Sequence, residues 1–123
     1  MIKVSVLYPN SDGCKFDVDY YCNKHMPMVK DLLGEACTGV AVEKGVAGGA
    51  PAAPAPFAAA GHLFFESLEA FQKAFQPHAE AILGDIPNYT NVQPVIQIGE
   101  VLINARRSET GSFHLHIPGP ARP

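Results

Sequence analysis

The first residues of the chain alternate between apolar and polar side chains, which is typical of a half-buried β-strand. Residues 2–8 follow this alternation, and the turn-forming run Pro-Asn-Ser-Asp-Gly ends it. From Asp17, a favourable N-cap residue, the pattern changes to that of an amphipathic helix, which Gly34 is expected to end. The apolar stripe of this predicted helix consists of Val18, Tyr21, Cys22, His25, Val29, Leu32 and Leu33.

The rest of the pattern predicts three more strands and a second helix. Valine-rich residues 39–46 predict the second strand, and residues 57–66 predict the third. Between them, residues 47–56 are too rich in Pro, Ala and Gly for regular structure and are expected to form a mobile connection or a lid. Residues 92–103 predict the fourth and longest strand. Ser67 is expected to cap the second helix, whose apolar stripe is Leu68, Phe71, Phe75, His78 and Ile82.

The predicted order of elements is β-α-β-β-α-β, which is typical of a ferredoxin-like α+β sandwich with an antiparallel sheet. In this fold both helices cover one face of the sheet and leave the other face bare. The fourth predicted strand is apolar on both of its faces, so the bare face also needs a cover. A second copy of the sheet is the simplest cover, and the sequence therefore predicts a homodimer.

His25 lies on the apolar stripe of the first predicted helix, beside a residue that disrupts helices. Pro27 removes one backbone hydrogen bond and clashes with the preceding turn, at a cost of about 3 kcal/mol. The sequence therefore predicts a kink with an inward-facing imidazole, which titrates near neutral pH and suits general acid–base catalysis. In the alternative interpretation, His25 binds a carbonyl freed by Pro27 and only completes the kink.

Composition and charge narrow the class of protein. The 123 residues fit one domain, and 47% apolar with 17% charged residues is an ordinary balance without a membrane span. A formal net charge of −3 argues against a nucleic-acid partner. The N-terminus has no signal-peptide pattern. The cysteines are odd in number and lack Cys-x-x-Cys spacing, which favours reduced thiols and a cytoplasmic location: Cys14, Cys22 and Cys37.

The sequence carries no motif for a cofactor or a metal ion. It lacks Gly-x-Gly-x-x-Gly, Walker and Gly-x-Ser-x-Gly motifs, so no Rossmann nicotinamide or flavin site, P-loop nucleotide site or serine hydrolase is indicated. His25, His62 and His78 lack local metal spacing such as His-x-x-x-His. We therefore expect no cofactor and no metal.

Several motifs occur together and in a fixed order along the chain: Phe16-Asp-x-x-Tyr-Tyr-x-x-x-His25-Met-Pro27, the Gly-rich link, Phe64-Phe-Glu-Ser-Leu-Glu-Ala-Phe71 and Asp85-Ile-Pro-Asn-Tyr-Thr90. Over residues 1–103 the chain resembles the EthD family of the dimeric α+β barrel superfamily. The resemblance implies a dimeric barrel and a link to the oxidative degradation of small organic molecules.

The tail, residues 104–123, extends beyond the family pattern. Its alternating segment would place His114 and His116 on one strand face. An edge strand or an arm across the dimer is favoured over a metal-binding histidine pair.

The candidate site centres on His25 as proton shuttle, with Tyr21 as the second catalytic residue, one helical turn earlier. His62, on the third strand, faces either the helices or the dimer seam, because one error in strand phase reverses the answer. Asp85 and Asn88 also fit plain turn residues. The proposed substrate contacts are Tyr20, His62, His78, Asn88 and Tyr89.

Three functions follow from this pattern. The first is a cofactor-independent oxidoreductase or isomerase that acts on a small aromatic or apolar compound, with a histidine proton shuttle. The second is a carrier that binds a hydrophobic metabolite without transforming it. The third is an interaction module in which the dimer and the C-terminal tail matter.

Overall fold

The computed structural model describes residues 1–107 and 113–116. An antiparallel four-stranded sheet has the order β2-β3-β1-β4, and the helices lie between strands in the order β-α-β-β-α-β, which confirms the predicted α+β fold. The strands are β1 (Ile2–Pro9), β2 (Cys37–Lys44), β3 (Phe57–Phe65) and β4 (Val95–Glu100). The helices are α1 (Val18–Tyr20), α2 (Met26–Leu33), α3 (Leu68–Phe75) and α4 (Ala79–Gly84).

The local signals in the sequence explain where the helices begin and end. Asp17 accepts a hydrogen bond from the Tyr20 amide and caps α1, and Ser67 accepts one from the Ala70 amide and caps α3. Gly34 ends α2 at a φ of 62°, a backbone conformation that glycine adopts without a steric penalty. Residues 47–56 contain no helix or strand.

Alternation along the central strand β1 divides the sheet into two faces. Val4 and Tyr8 point towards the helices and are buried at 3% and 2% exposure. The core lies on this side, between sheet and helices, and it includes Met26, Val29, Leu33, Leu63, Phe65, Phe71 and Ile82. The opposite face of the sheet has no helix over it among the described elements.

A π-helical turn joins α1 to α2 at the predicted kink. It spans Tyr21–His25, and the amide of Met26 donates to the carbonyl of Tyr21, five residues earlier. Pro27 follows in the first turn of α2, where its missing N–H breaks the regular ladder. A wider turn of this type is frequent at functional sites. It keeps both Tyr21 and His25 buried.

Two predicted stripe positions are wrong. Cys22 is exposed, because the wide π-helical turn rotates it out of the stripe that Tyr21 and His25 share. Leu68, in the first turn of α3, is 45% exposed.

The fourth strand is shorter than predicted. It begins only at Val95, because Pro94 has no N–H for a strand ladder and the preceding residues form turns. Before it, Thr90 makes an isolated bridge to Phe16. The longest described strand is therefore β3, not β4.

The tail contributes two short strands, β5 (Asn104–Arg107) and β6 (Phe113–His116). They pair antiparallel with each other, and within the described residues neither pairs with the four-stranded sheet. Nowhere in residues 1–107 and 113–116 is there a helix with the length and apolar character needed to cross a bilayer.

Candidate functional site

A cavity of about 260 Å³ lies between the sheet and the helical layer. Strands β1, β3 and β4 form its floor, and the helices form its roof. Apart from His25 and the tyrosines Tyr8 and Tyr21, its walls are apolar: Val4, Val6, Met26, Val29, Gly61, Leu63, Phe71, Phe75, Ile82, Leu83, Ile86, Pro94, Ile96 and Ile98. An apolar cavity with a few convergent polar groups is typical of a small-molecule site.

His25 is 4% exposed and lines this cavity. Its Nδ1 lies 2.9 Å from Oδ2 of Asp85. An ionised carboxylate only accepts hydrogen bonds, so Nδ1 carries the proton and donates it to Asp85. The neutral ring then has its free lone pair on Nε2, which lies 3.5 Å from the Tyr89 hydroxyl. This is the tautomer that a general base needs.

Asp85 is held by three donors in all. Its Oδ1 accepts from the Tyr20 hydroxyl at 2.8 Å and from Nδ2 of Asn88 at 2.9 Å, while Oδ2 accepts from His25. Partial burial alone would raise the pKa of the Asp85 carboxyl, but the hydrogen bonds from Asn88, His25 and Tyr20 outweigh it and lower that pKa. Asp85 is therefore ionised at neutral pH.

The pKa of His25 is lowered from 6.5, chiefly because burial removes water from the charged imidazolium. The hydrogen bond to Asp85 and its negative charge act in the opposite direction, and burial prevails. His25 is therefore neutral at pH 7, with Nδ1 held by Asp85 and Nε2 able to accept a proton.

Aromatic rings surround the histidine. Tyr21 stacks on the His25 ring with centroids 5.4 Å apart and an interplanar angle of 14°, and the Tyr89 ring lies 4.6 Å away. The hydroxyls of Tyr8 and Tyr89 are 2.6 Å apart. Burial raises the pKa of Tyr8, Tyr21 and Tyr89, so all three stay protonated.

Gly61 makes room for this arrangement. A Cβ at this position in β3 would overlap the Tyr21 hydroxyl, so only glycine lets the tyrosine reach the sheet. Both residues line the cavity. The Tyr21 hydroxyl is therefore a polar group of the cavity wall at the β3 side.

The structure brings together five of the residues that the sequence analysis selected: His25, Tyr21, Tyr20, Asn88 and Tyr89. Tyr21 and His25 line the cavity, whereas Asn88 is exposed and Tyr89 lies behind the wall. Tyr20 and Asn88 donate hydrogen bonds to Asp85, which in turn accepts one from His25. They therefore influence the cavity only by positioning Asp85 and His25.

His62 and His78 lie away from this site. His62 is on the face of β3 opposite the cavity, where Nδ1 contacts Ser5 Oγ at 2.9 Å and Nε2 contacts Glu43 at 2.7 Å. His78, in the turn between α3 and α4, does not line the cavity. His78, a predicted substrate contact, therefore does not join His25 in the cavity wall.

Two members of the site were missed by sequence reasoning. Asp85 was interpreted as a turn residue, and Tyr8 only as part of the first strand. Tyr8 shares the strand phase of Val4 and Val6, and a tyrosine on a buried face needs a partner for its hydroxyl. That rule is the signal that could have drawn attention to Tyr8.

Metal ligation has no support in the described residues. Within residues 1–107 and 113–116, no three His, Cys, Asp or Glu side chains converge as a ligand group. The side chains of His114 and His116 lie outside what the structure describes.

An EthD domain profile matches residues 15–93 of the chain. This span includes the π-helical turn, His25, Asp85 and Tyr89. The chain belongs to the EthD family. No curated protein sequence is similar enough to count as a match.

Solved structures agree with the EthD assignment. An EthD-like protein from Ralstonia eutropha JMP134 is 51% identical, with a TM-score of 0.79 over 82% of this chain and 91% of that one. An ethyl tert-butyl ether D (EthD) family protein from Bacillus halodurans C-125 is 20% identical, with a TM-score of 0.64 over 82% and 98%. HapK from Hahella chejuensis is 15% identical, with a TM-score of 0.52 over 83% and 93%. The last two show a shared fold.

Proposed function

We propose that this EthD protein is a cofactor-independent oxidoreductase that acts on a small aromatic or apolar compound in the cytoplasm. The observation that carries the proposal is the buried His25, neutral and oriented by Asp85, in the wall of an apolar cavity. A buried base in the wall of an apolar cavity is positioned to accept a proton from a bound substrate.

The first step is proton transfer from an acidic O–H or C–H of the substrate to Nε2 of His25. The resulting electron-rich anion gives two electrons to dioxygen and loses a second proton. That proton and the one returned by His25 both bind the reduced dioxygen, which becomes hydrogen peroxide. Return of the first proton to a different atom, without dioxygen, would be an isomerisation. Oxygen consumption separates the two reactions.

The test is a screen of small phenols and enolisable ketones with the purified protein in air. Oxygen uptake is followed with an electrode, and products are identified by mass spectrometry. At least one compound is expected to be converted with uptake of dioxygen and release of peroxide. Conversion of a compound without oxygen uptake would contradict the proposed oxidation and indicate an isomerisation.

Carriage without chemistry is the second candidate, because the cavity wall is almost wholly apolar. In a carrier, His25 would supply a hydrogen bond to the ligand and no proton transfer. Compounds that bind tightly in the same screen and are recovered unchanged would favour this function and contradict the enzymatic one.

We propose that the EthD domain works as a homodimer whose sheets pack with their open faces together. The open face carries apolar side chains, among them Leu7, Phe64 and Val95, which alternate with the cavity-lining positions. Val95 is 52% exposed in the single chain. The hairpin of β5 and β6 is the proposed arm that contacts the partner.

Val95→Glu is expected to convert the dimer to a monomer, because it places a charge in an apolar interface. The measurement is the molar mass by size-exclusion chromatography with light scattering. Leu68→Glu is the matched control, since Leu68 is a 45% exposed apolar residue on the helical side. A wild-type monomer, or a Val95→Glu dimer, would contradict the proposal.

A further inference from the structure

The hydroxyls of three tyrosines lead from the cavity wall to His25. Tyr21 lines the cavity, and its ring packs edge-on against that of Tyr8 with centroids 5.6 Å apart. The Tyr8 hydroxyl is 2.6 Å from that of Tyr89, and the Tyr89 hydroxyl is 3.5 Å from Nε2 of His25. The side chains therefore lie in contact one after another, from Tyr21 through Tyr8 and Tyr89 to the histidine.

The chemistry at the histidine fixes the direction of every donor in this chain. Nδ1 donates to Asp85, so Nε2 can only accept, and the Tyr89 hydroxyl must donate to it. The Tyr89 oxygen then accepts from Tyr8, which leaves the Tyr8 oxygen able to accept from the hydroxyl of the neighbouring Tyr21. A Tyr21 hydroxyl that donates to Tyr8 keeps a lone pair on its oxygen, which lies beside Gly61.

We propose that Tyr21, Tyr8 and Tyr89 form a proton relay, which carries a proton from a phenolic ligand bound beside Gly61 to Nε2 of His25. The inference rests on the proposed role of His25 as a base, and it names both the substrate class and the route of the proton. Tyr89, which does not line the cavity, enters the reaction through hydrogen bonds and not through contact with the ligand.

The transfer is balanced and produces no charged tyrosine. The ligand O–H bond breaks as its proton binds the Tyr21 oxygen, while Tyr21 passes its own proton to Tyr8. Tyr8 passes a proton to Tyr89, and Tyr89 passes one to Nε2. The ligand becomes a phenolate and His25 an imidazolium. Burial disfavours a tyrosinate at each position, so the hops occur together.

A phenol fits this end of the cavity better than other small apolar compounds. The free lone pair on Tyr21 needs a donor, which a phenol supplies and an ether or a hydrocarbon does not. The remaining walls are aliphatic and aromatic, and they suit a planar ring. The imidazolium formed at the end of the relay is stabilised by the Asp85 carboxylate at 2.9 Å.

A photoacid tests the relay without any knowledge of the natural substrate. The hydroxyl of 2-naphthol becomes strongly acidic on excitation, and its anion emits at longer wavelength than the neutral form. With protein in excess, bound 2-naphthol is expected to show the anion band. The methyl ether, 2-methoxynaphthalene, has no proton to give and is expected to bind roughly fivefold or more weakly, since it leaves Tyr21 without a donor.

Tyr8→Phe removes the middle hydroxyl and keeps the ring, so the probe is expected to bind while the anion band disappears. Tyr21→Phe should abolish both the anion band and the preference for naphthol over its ether. His62→Gln is the comparison variant, because His62 faces away from the cavity and contacts Ser5 and Glu43, and it should retain the anion band.

An unchanged anion band in Tyr8→Phe, or equal binding of naphthol and its ether to the wild type, would overturn the relay. Folding of each variant is checked by circular dichroism and by its binding of the probe, and Tyr21→Phe tests the cavity end independently of Tyr8. Because photoinduced proton transfer needs no turnover, the relay and the proposed oxidoreductase function can fail separately.

Discussion

Asp85→Asn is expected to lower kcat/KM for a converted substrate by about 100-fold, although the new side chain has nearly the same shape. The carboxylate forces the proton onto Nδ1 of His25 because it can only accept. An amide can instead donate its N–H to Nδ1, which moves the ring proton to Nε2. The ring then has no lone pair where the proton must arrive.

Asn88→Ala is the matched control for this change. It removes one of the donors to Oδ1 of Asp85, while those from Tyr20 and His25 remain. The carboxylate and the His25 tautomer are kept, so the loss of kcat/KM is expected to be about tenfold or less, in line with one lost hydrogen bond. Wild-type activity in Asp85→Asn would contradict the orienting role of Asp85.

His25→Gln is expected to reduce turnover by about 10²–10⁴-fold, the usual contribution of a positioned general base. Glutamine keeps a polar side chain of similar size but cannot take up a proton near neutral pH. The measurement is kcat and KM under air, with oxygen uptake as the readout. The loss should appear in kcat, because the apolar cavity still binds the substrate.

The pH profile gives this prediction a second readout. A general base works only when unprotonated, so activity is lost as the pH falls through the pKa of His25. Burial lowers that pKa from 6.5, so the acidic limb of wild-type kcat/KM should lie below pH 6.5. Residual activity of His25→Gln should lack this limb.

His62→Gln is the control histidine, because His62 faces away from the cavity and contacts Ser5 and Glu43. It should leave both turnover and the acidic limb unchanged. If His62→Gln lowered turnover as much as His25→Gln did, or if His25→Gln remained active, the proposed site would be wrong.

Most of the fold could be predicted because its signals are local. The caps at Asp17 and Ser67, the stop at Gly34 and the strand alternation of residues 2–8 each act within a few residues. The bounds of the fourth strand were harder to predict. Apolar residues continue past β4, so the pattern overestimated the strand, whereas Pro94 decides where its ladder begins.

The candidate site could be predicted only at its centre. His25 was selected because Pro27 marks a backbone defect beside it, and that signal is also local. Asp85 lies 60 residues from His25 in sequence, and its local pattern is that of a turn, since the Asn88 amide donates to its carbonyl. Asp85 both forms the local turn and orients the distant His25, and the sequence pattern indicates only the turn.

The strand phase of His62 shows the same limit. Alternation along β3 leaves two faces open for His62, the one towards the helices and the opposite one. In the structure His62 lies beside Ser5 and Gln97 of the neighbouring strands, on the face opposite the helices. Register depends on contacts between distant strands. Gly61, its neighbour, faces the cavity instead and makes room for the Tyr21 hydroxyl.

The most direct test of this account is a nitrogen-15 NMR measurement of the His25 ring across pH. Long-range coupling identifies which ring nitrogen carries the proton. We expect a neutral ring at pH 7 with the proton on Nδ1, a bare Nε2, and a pKa below 6.5. A proton on Nε2, or an imidazolium at pH 7, would contradict a base that is held ready by Asp85.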